Sequence, residues 1–142
     1  MNFKEINIGQ LIQTKVLENE TDVYRICKFM KCTEDDLNKM YNSNKLDTET
    51  LLRWSKLLEY DFFRIYSQHL ILYAPQENNS YNNITAKEAS KLPHFRKNIY
   101  TKEIISFILE MIENKEKTRF QVIEEYRIPK STLYKWMNKY IT

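Results

Sequence analysis

The stretch that decides the fold class lies near the C-terminus and reads Arg127-Ile128-Pro129-Lys130-Ser131-Thr132-Leu133-Tyr134-Lys135-Trp136. A short turn with a fixed proline leads into a segment whose apolar residues recur at three- and four-residue spacing: Leu133, Trp136, Met137 and Tyr140. That spacing is typical of a helix with one buried face. The stretch therefore predicts a turn followed by an amphipathic helix from Lys130 to about Tyr140, with Pro129 at its first position.

Two more helices are predicted just before this one. Thr101 suits the N-cap of a helix from Lys102 to Asn114, and Thr118 that of a helix from Arg119 to Tyr126. Their predicted inner faces are Ile105, Ile108, Leu109 and Ile112, and then Phe120, Val122, Ile123 and Tyr126. A second apolar stripe on the first of them is a candidate contact with the N-terminal half or with a partner subunit: Ile104, Phe107 and Met111.

Apolar periodicity predicts five helices in the N-terminal half: residues 6–18, a second helix that Asp22 caps and that ends at about Met30, 34–41, 48 to about 58, and about 62–73. Thr33 and Asp36 have the spacing of a capping box. The apolar residues that define the first and fourth of these helices are Ile8, Leu11, Ile12, Val16, Leu17, Leu51, Leu52, Trp54, Leu57 and Leu58. The predicted inner residues of the second and third are Val23, Ile26, Phe29, Met30, Leu37 and Met40. The fifth helix is apolar over more than one face, so either this half's own core or a second copy of the chain must cover it.

Composition supports a helical protein. The 142 residues are 42% hydrophobic and 29% charged, with one Gly and three Pro. So few helix breakers favour helices over a sheet protein, which needs glycine-rich turns. The predicted fold class is all-α, with two small helical helix-turn-helix-type domains at residues 1–74 and 93–142. A polar, Asn-rich linker at residues 75–92 joins them.

The charge is unevenly distributed. Residues 1–74 carry a net charge of −1, residues 75–92 are neutral, and residues 93–142 carry +4. A polyanion is therefore drawn to the C-terminal part. No signal peptide and no apolar run long enough to span a bilayer is visible. The chain is expected to be cytoplasmic, with no membrane partner.

The open face of the last helix supplies the candidate site. Lysine side chains can contact phosphate or guanine, a serine can contact a base edge, and an asparagine can read adenine with two hydrogen bonds. The candidate DNA-binding residues are Lys130, Ser131, Thr132, Tyr134, Lys135, Asn138 and Lys139. The alternative is that this helix is an ordinary amphipathic helix whose polar face contacts only solvent. The basic, aromatic segment 93–98 is either an arm that touches DNA or a packed entry to the next helix.

These residues also carry a family resemblance. Ile128, Ser131, Thr132, Leu133, Tyr134 and Trp136 match the turn-apolar-Ser-x-Ser/Thr-Thr-Leu-Tyr-x-Trp pattern. Residues 98–140 thereby resemble the helix-turn-helix of bacterial insertion-sequence transposases. Arg127 stands where that family usually has Gly, and Pro129 where it has Ser. The resemblance implies that the helix beginning at Lys130 enters the major groove of double-stranded DNA.

The N-terminal half has a second resemblance. The order of helices from Ile8 to Tyr66, with Cys27, Cys32 and Thr33 at matching positions, resembles the phage-repressor-like (Cro-type) helix-turn-helix domain. Lys31 stands at the turn glycine and must adopt a left-handed conformation or another turn. The helix that would read DNA opens with Glu34-Asp35-Asp36, which repels phosphate. This half is predicted to serve in packing or dimerisation, the alternative being weak DNA contact elsewhere on its surface.

The sequence predicts neither a catalytic site nor a metal site. Cys27 and Cys32 lack a second ligand pair at zinc spacing, and His69 and His94 are scattered, so the cysteines are interpreted as small buried residues. We expect no enzyme activity, metal, cofactor or small-molecule ligand. The predicted function is sequence-specific binding of double-stranded DNA, as a homodimeric regulator or accessory factor without a catalytic domain. The alternative is a protein-interaction or dimerisation module that has lost DNA binding.

Overall fold

The computed structural model describes residues 2–75, 90–93 and 100–141. Within these residues the chain forms eight α-helices and no β-strand, which confirms the predicted all-α fold class. The helices are α1 (Ile8–Asn19), α2 (Val23–Met30), α3 (Glu34–Tyr41), α4 (Thr48–Leu58), α5 (Phe63–Tyr73), α6 (Lys102–Glu113), α7 (Arg119–Tyr126) and α8 (Lys130–Tyr140).

Backbone contacts divide the chain into two compact units, one of residues 2–67 and one that begins at Gln68. The division falls inside α5, so the last turns of α5 belong to the same unit as α6, α7 and α8. Most of the predicted linker at 75–92 and most of the segment 93–98 lie outside the described residues. The predicted domain limits therefore stay predictions.

The core of the first unit is built from α1 to α5. It consists of Ile8, Ile12, Val16, Ile26, Met30, Leu37, Leu51, Trp54, Leu57, Leu58, Phe62 and Ile65. The predicted inner positions of Val23 and Phe29 were wrong, since both residues are exposed, and Leu17 and Leu52 are exposed as well. Leu17 and Leu52 each follow a buried residue directly and so point about 100° away from it. Val23 and Phe29 flank the narrow stripe made by Ile26 and Met30, which shows that α2 buries a smaller face than its sequence suggests.

Gly9 lies where α1 closely approaches the end of α3. Its backbone N–H donates to the carbonyl oxygen of Ser43 at 3.0 Å, at the end of α3. A Cβ atom at residue 9 would lie 2.2 Å from the carbonyl oxygen of Met40, which is backbone and cannot rotate away. The single glycine of the chain is therefore required for close packing.

In the second unit, α6, α7 and α8 bury one face each. The buried residues of these helices and of the turn before α8 are Ile104, Ile105, Ile108, Leu109, Met111, Val122, Tyr126, Ile128, Leu133 and Trp136. Ile71 and Leu72, in the last turns of α5, are also buried in this unit. Two predicted inner residues are exposed, Phe120 and Tyr140. Phe120 lies about 160° round α7 from Val122, and Tyr140 lies in the last turn of α8.

Two of the three residues in the second apolar stripe of α6 are buried, and Phe107 is half-buried. Ile104 and Met111 are buried, and the Tyr126 hydroxyl donates to the Met111 sulfur at 3.7 Å. Burial raises the pKa of the Tyr126 hydroxyl above its ordinary value. Met111 is therefore in contact with α7, and the predicted contact of this stripe with the N-terminal half or a partner subunit stays a prediction.

The predicted caps are confirmed. Thr33 and Asp36 form a capping box at α3, and Thr118 with Gln121 forms another at α7. Asp22 and Thr101 cap α2 and α6. Each side chain satisfies a backbone N–H that has no partner within its own helix.

Candidate nucleic-acid interface

The exposed face of α8 carries most of the residues proposed to contact DNA. Lys130, Ser131, Lys135, Asn138 and Lys139 are exposed. The opposite face is anchored, since Leu133 is 0% and Trp136 9% exposed. Residues 131, 135 and 138 share one line along the helix because they are separated by four and three positions. The structure thus places a polar row on a helix that is fixed by its other side.

Thr132 and Tyr134 are half-buried and differ from the rest of the predicted set. The ring of Tyr134 lies under two cations. The Lys130 ammonium is 5.6 Å and the Arg119 guanidinium carbon 5.9 Å from the ring centroid. Both distances are within the range of cation–π attraction. Tyr134 therefore connects a charge on α7 with one on α8.

The turn before α8 fixes the start of the helix. Arg127 adopts the left-handed conformation with φ 54°, and Ile128 is fully buried. Pro129 occupies the N-cap with φ −58°, one residue earlier than predicted, and its carbonyl oxygen accepts from Leu133 N–H at 3.1 Å. A proline at this position leaves no N–H unsatisfied. The buried Ile128 and the fixed proline determine where Lys130 begins the helix.

Aromatic packing supports the far side of α8. Tyr100 meets Trp136 edge to face, with ring centroids 5.0 Å apart. Such pairs hold their rings in a defined relative orientation. The contact ties the segment that precedes α6 to the middle of α8, beneath the residues of the exposed row.

The cations of this unit fall into two groups. Lys117 is paired, because its ammonium donates to the Glu125 carboxylate and also lies 5.4 Å from the Tyr126 ring centroid. The hydrogen bond to Glu125 raises the pKa of the Lys117 ammonium. By contrast, none of the four ion pairs among the described residues includes Arg119, Lys130, Lys135 or Lys139. The uncompensated positive charge of this unit therefore includes the α8 face and the first residue of α7.

Sequence reasoning missed Arg119. It was counted in the net charge of the C-terminal part, but α7 was examined only for its apolar face. The available signal was a charged residue directly after the Thr118 cap, on the helix that precedes the predicted turn. Contact between Arg119 and Tyr134 joins residues that are far apart in sequence, so spacing within one helix could not reveal it.

The corresponding face of the first unit is acidic. α3 begins with Glu34, Asp35 and Asp36, all exposed. Asp36 accepts from the Thr33 backbone N–H at 3.1 Å, and hydrogen bonding to Thr33 lowers the pKa of its carboxyl group. The carboxylate is thereby kept charged at the helix start, where a phosphate would otherwise bind.

The two cysteines lie at the end of α2 and in the turn that follows. Both are half-buried and free, and the Cys32 backbone N–H donates to the Cys27 carbonyl oxygen at 3.1 Å. Burial is the main reason that the pKa of the Cys32 thiol is raised. Among the described residues no group of three or more His, Cys, Asp or Glu side chains is placed to hold a metal ion. His94 lies outside the described residues.

Comparison with known proteins leaves the family open. No protein-family model, no curated protein and no solved structure matches this chain. The likeness of the C-terminal part to insertion-sequence transposases and of the N-terminal part to Cro-type domains stays a prediction from the residues themselves. In the parts of the chain that the structure covers, no helix has the length and apolar character needed to cross a membrane.

Proposed function

We propose that this chain is a sequence-specific double-stranded DNA-binding protein that inserts α8 into the major groove. The observation that carries the proposal is the exposed face of α8, where three lysines without ion pairs lie beside two small hydrogen-bonding side chains: Lys130, Lys135, Lys139, Ser131 and Asn138. The buried face of the same helix holds the exposed face in place. In a helix-turn-helix, α7 would cross the backbone and α8 would be the recognition helix.

The contacts divide by chemistry. Lys130 at the start of α8 and Lys139 near its end are suited to phosphates, which position the protein without reading sequence. Ser131, Lys135 and Asn138 are suited to base edges. Asn138 can pair with adenine through two hydrogen bonds, and Lys135 can donate to the two acceptors of guanine.

In this proposal the chain acts as a regulator or accessory factor and carries no catalytic domain. The polar side chains of α8 are accounted for by contacts to DNA. Two-metal cleavage of DNA uses a cluster of carboxylates to hold the metal ions, whereas Asp36 of α3 is engaged in a capping box with Thr33. A bacterial, cytoplasmic setting is part of the same proposal.

The first unit is assigned to dimerisation. Its acidic α3 start disfavours contact with phosphate. It also exposes large apolar side chains, among them Leu17 at 71% and Tyr24 at 74% exposure. A homodimer would present two copies of α8 to two half-sites related by a two-fold axis.

Selection of bound duplexes from a random-sequence pool tests the proposal. We expect enrichment of a short motif, repeated as a palindrome if the protein binds as a dimer. A pool whose sequence composition is unchanged after repeated rounds would contradict sequence-specific binding. Enrichment of a single half-site would retain DNA binding but contradict the dimer.

A second candidate is a protein-interaction module without DNA binding. The observation that favours it is the exposure of Phe120, at 70%, on α7 beside the basic face. If this candidate is correct, the protein should capture a protein partner in a complex that persists at high salt. The Phe120→Ser variant should no longer bind that partner. The second candidate also expects the purified protein to carry no nucleic acid, whereas the first candidate expects salt-dependent retention of DNA.

A further inference from the structure

The contact of Tyr134 with two cations has a specific meaning if the chain binds DNA. We propose that Arg119 and Lys130 form a phosphate clamp and that Tyr134 is the positioning residue that holds them together. The inference rests on the proposed DNA binding and adds to it a ligand class, the sugar–phosphate backbone. It also adds a residue outside the recognition helix, Arg119.

The first argument is that two positively charged side chains lie near the same aromatic ring. The Arg119 and Lys130 charges lie 5.9 and 5.6 Å from one ring centroid, so their separation cannot exceed the sum of those distances. Between cations on a protein surface the repulsion is weak at the far end of that range and grows as the charges approach each other. The electron-rich face of the ring offsets part of this repulsion. An anion placed between or beside them removes the rest, and a phosphate oxygen is the anion that DNA supplies.

The second argument is the lack of any acidic partner. Among the described residues, neither Arg119 nor Lys130 forms an ion pair. The residues three and four positions after Arg119, where a partner on the same helix would lie, are Val122 and Ile123. Glu125, also on α7, is engaged by Lys117. The five N–H groups of the arginine and the three of the lysine are therefore available to an external acceptor.

The third argument is where the clamp sits. Arg119 is the first residue of α7 and Lys130 the first residue of α8. A phosphate held by both residues would fix both helices against the same strand, and so set how far α8 reaches into the groove. Positioning of this kind is the usual contribution of backbone contacts to recognition.

The role of Tyr134 changes accordingly. The sequence suggested that it contacts DNA directly. With both cations on its ring and its side chain half-buried, the residue acts through Arg119 and Lys130. The phenol hydroxyl is dispensable in this role, whereas the aromatic ring is required.

The test is a salt titration of affinity for a fluorescein-labelled duplex of random sequence, read by fluorescence anisotropy. Arg119→Ala should weaken binding about tenfold and reduce the slope of log K against log salt by about 0.9, as expected for one phosphate contact. Tyr134→Leu should reduce the slope by at least as much. Tyr134→Phe should bind as the wild type does.

Two comparisons separate positioning from general damage. Tyr134→Leu added to Arg119→Ala with Lys130→Ala should cause no further loss of slope, because the ring then has nothing to position. Tyr24→Leu, which removes an exposed tyrosine of the first unit, should leave the slope unchanged. Thermal unfolding followed by circular dichroism establishes that each variant is folded. Arg119→Gln provides an independent surface variant should Tyr134→Leu unfold.

Each outcome bears on the clamp. A wild-type slope in Arg119→Ala and Tyr134→Leu, with salt-dependent binding intact, would overturn the clamp and leave the proposed function standing. Equal loss in Tyr134→Phe and Tyr134→Leu would also overturn it, because the hydroxyl would then make the contact. No binding of any duplex by the wild-type protein would overturn both proposals.

Discussion

Lys31 and Arg127 have nearly the same backbone conformation at the same place in two turns. Their φ angles are 53° and 54°, and each begins a three-residue turn between two helices. The next residue is Cys32 in one turn and Ile128 in the other, and the third is the N-cap of the following helix. Glycine is the usual residue in this left-handed position. Both turns therefore hold a long charged side chain where the backbone would prefer none.

The strain at Lys31 is predicted to be measurable. Lys31→Gly should raise the free energy of unfolding by up to about 1 kcal/mol, because glycine adopts positive φ without steric conflict. Urea denaturation provides the measurement. Lys28→Gly, inside α2, is the matched control and should lower it by about 1 kcal/mol. Equal losses in the two variants would show that the left-handed turn is not strained.

Gly9 is predicted to be intolerant of a methyl group. Gly9→Ala would place Cβ against backbone oxygens of Met40, Tyr41 and Ser43. Forced separation of α1 from the end of α3 should lower the free energy of unfolding by about 3 kcal/mol. Thr14→Ala, on the exposed side of α1, should change it by less than about 0.5 kcal/mol. A stable Gly9→Ala variant would contradict the close approach of the two helices.

Stability of the first unit is predicted to fall in acid partly through Asp47. The Thr50 backbone N–H donates to the Asp47 carboxylate at 2.7 Å, and hydrogen bonding lowers the pKa of that carboxyl group below its ordinary 3.8. A lowered pKa means that the unfolded chain binds the proton more readily. The contribution is therefore complete at neutral pH. It declines as the pH approaches 3.8 and is lost below the pKa of the folded state.

Asp47→Asn isolates this effect because asparagine can still cap the helix. We expect the variant to show a shallower fall in stability between about pH 5 and pH 3 than the wild type, measured by urea denaturation at each pH. Asp47→Ala should be shallower as well, and less stable at neutral pH because the cap itself is lost. An unchanged pH profile in both variants would exclude Asp47 as a source of acid sensitivity.

Local signals in the sequence were enough to place the helices. Thr33, Thr101 and Thr118 marked helix starts through capping, which depends on residues only three positions apart. Leu133 and Trp136 were placed in the core by their spacing alone. The all-α class followed from these signals because the residues that mark the start and the buried face of each helix lie within that helix or next to it.

Contacts between different helices could not be predicted from these local signals. Phe120 was assigned to the core from its apolar character, yet it faces away from Val122 on a helix that buries a narrow stripe. Arg119 was overlooked because its partner Tyr134 lies on another helix. The need for glycine at residue 9 was not predicted, because it comes from a backbone oxygen of α3 that would clash with a Cβ atom. All three depend on how helices pack, and periodicity within one helix does not contain that information.

The central claim, that α8 binds duplex DNA through its exposed lysines, is tested most directly by a salt titration of Lys130→Ala/Lys135→Ala beside the wild type. Affinity for a random-sequence duplex is measured between about 50 and 200 mM salt. Lys28→Ala/Lys56→Ala, with the same change of charge in the first unit, serves as the control.

We predict that the wild type and the control bind with a steep salt dependence. The α8 variant should bind more weakly, with a slope reduced by about one to two. Affinity that does not vary with salt, or an α8 variant that binds as the wild type does, would contradict the claim.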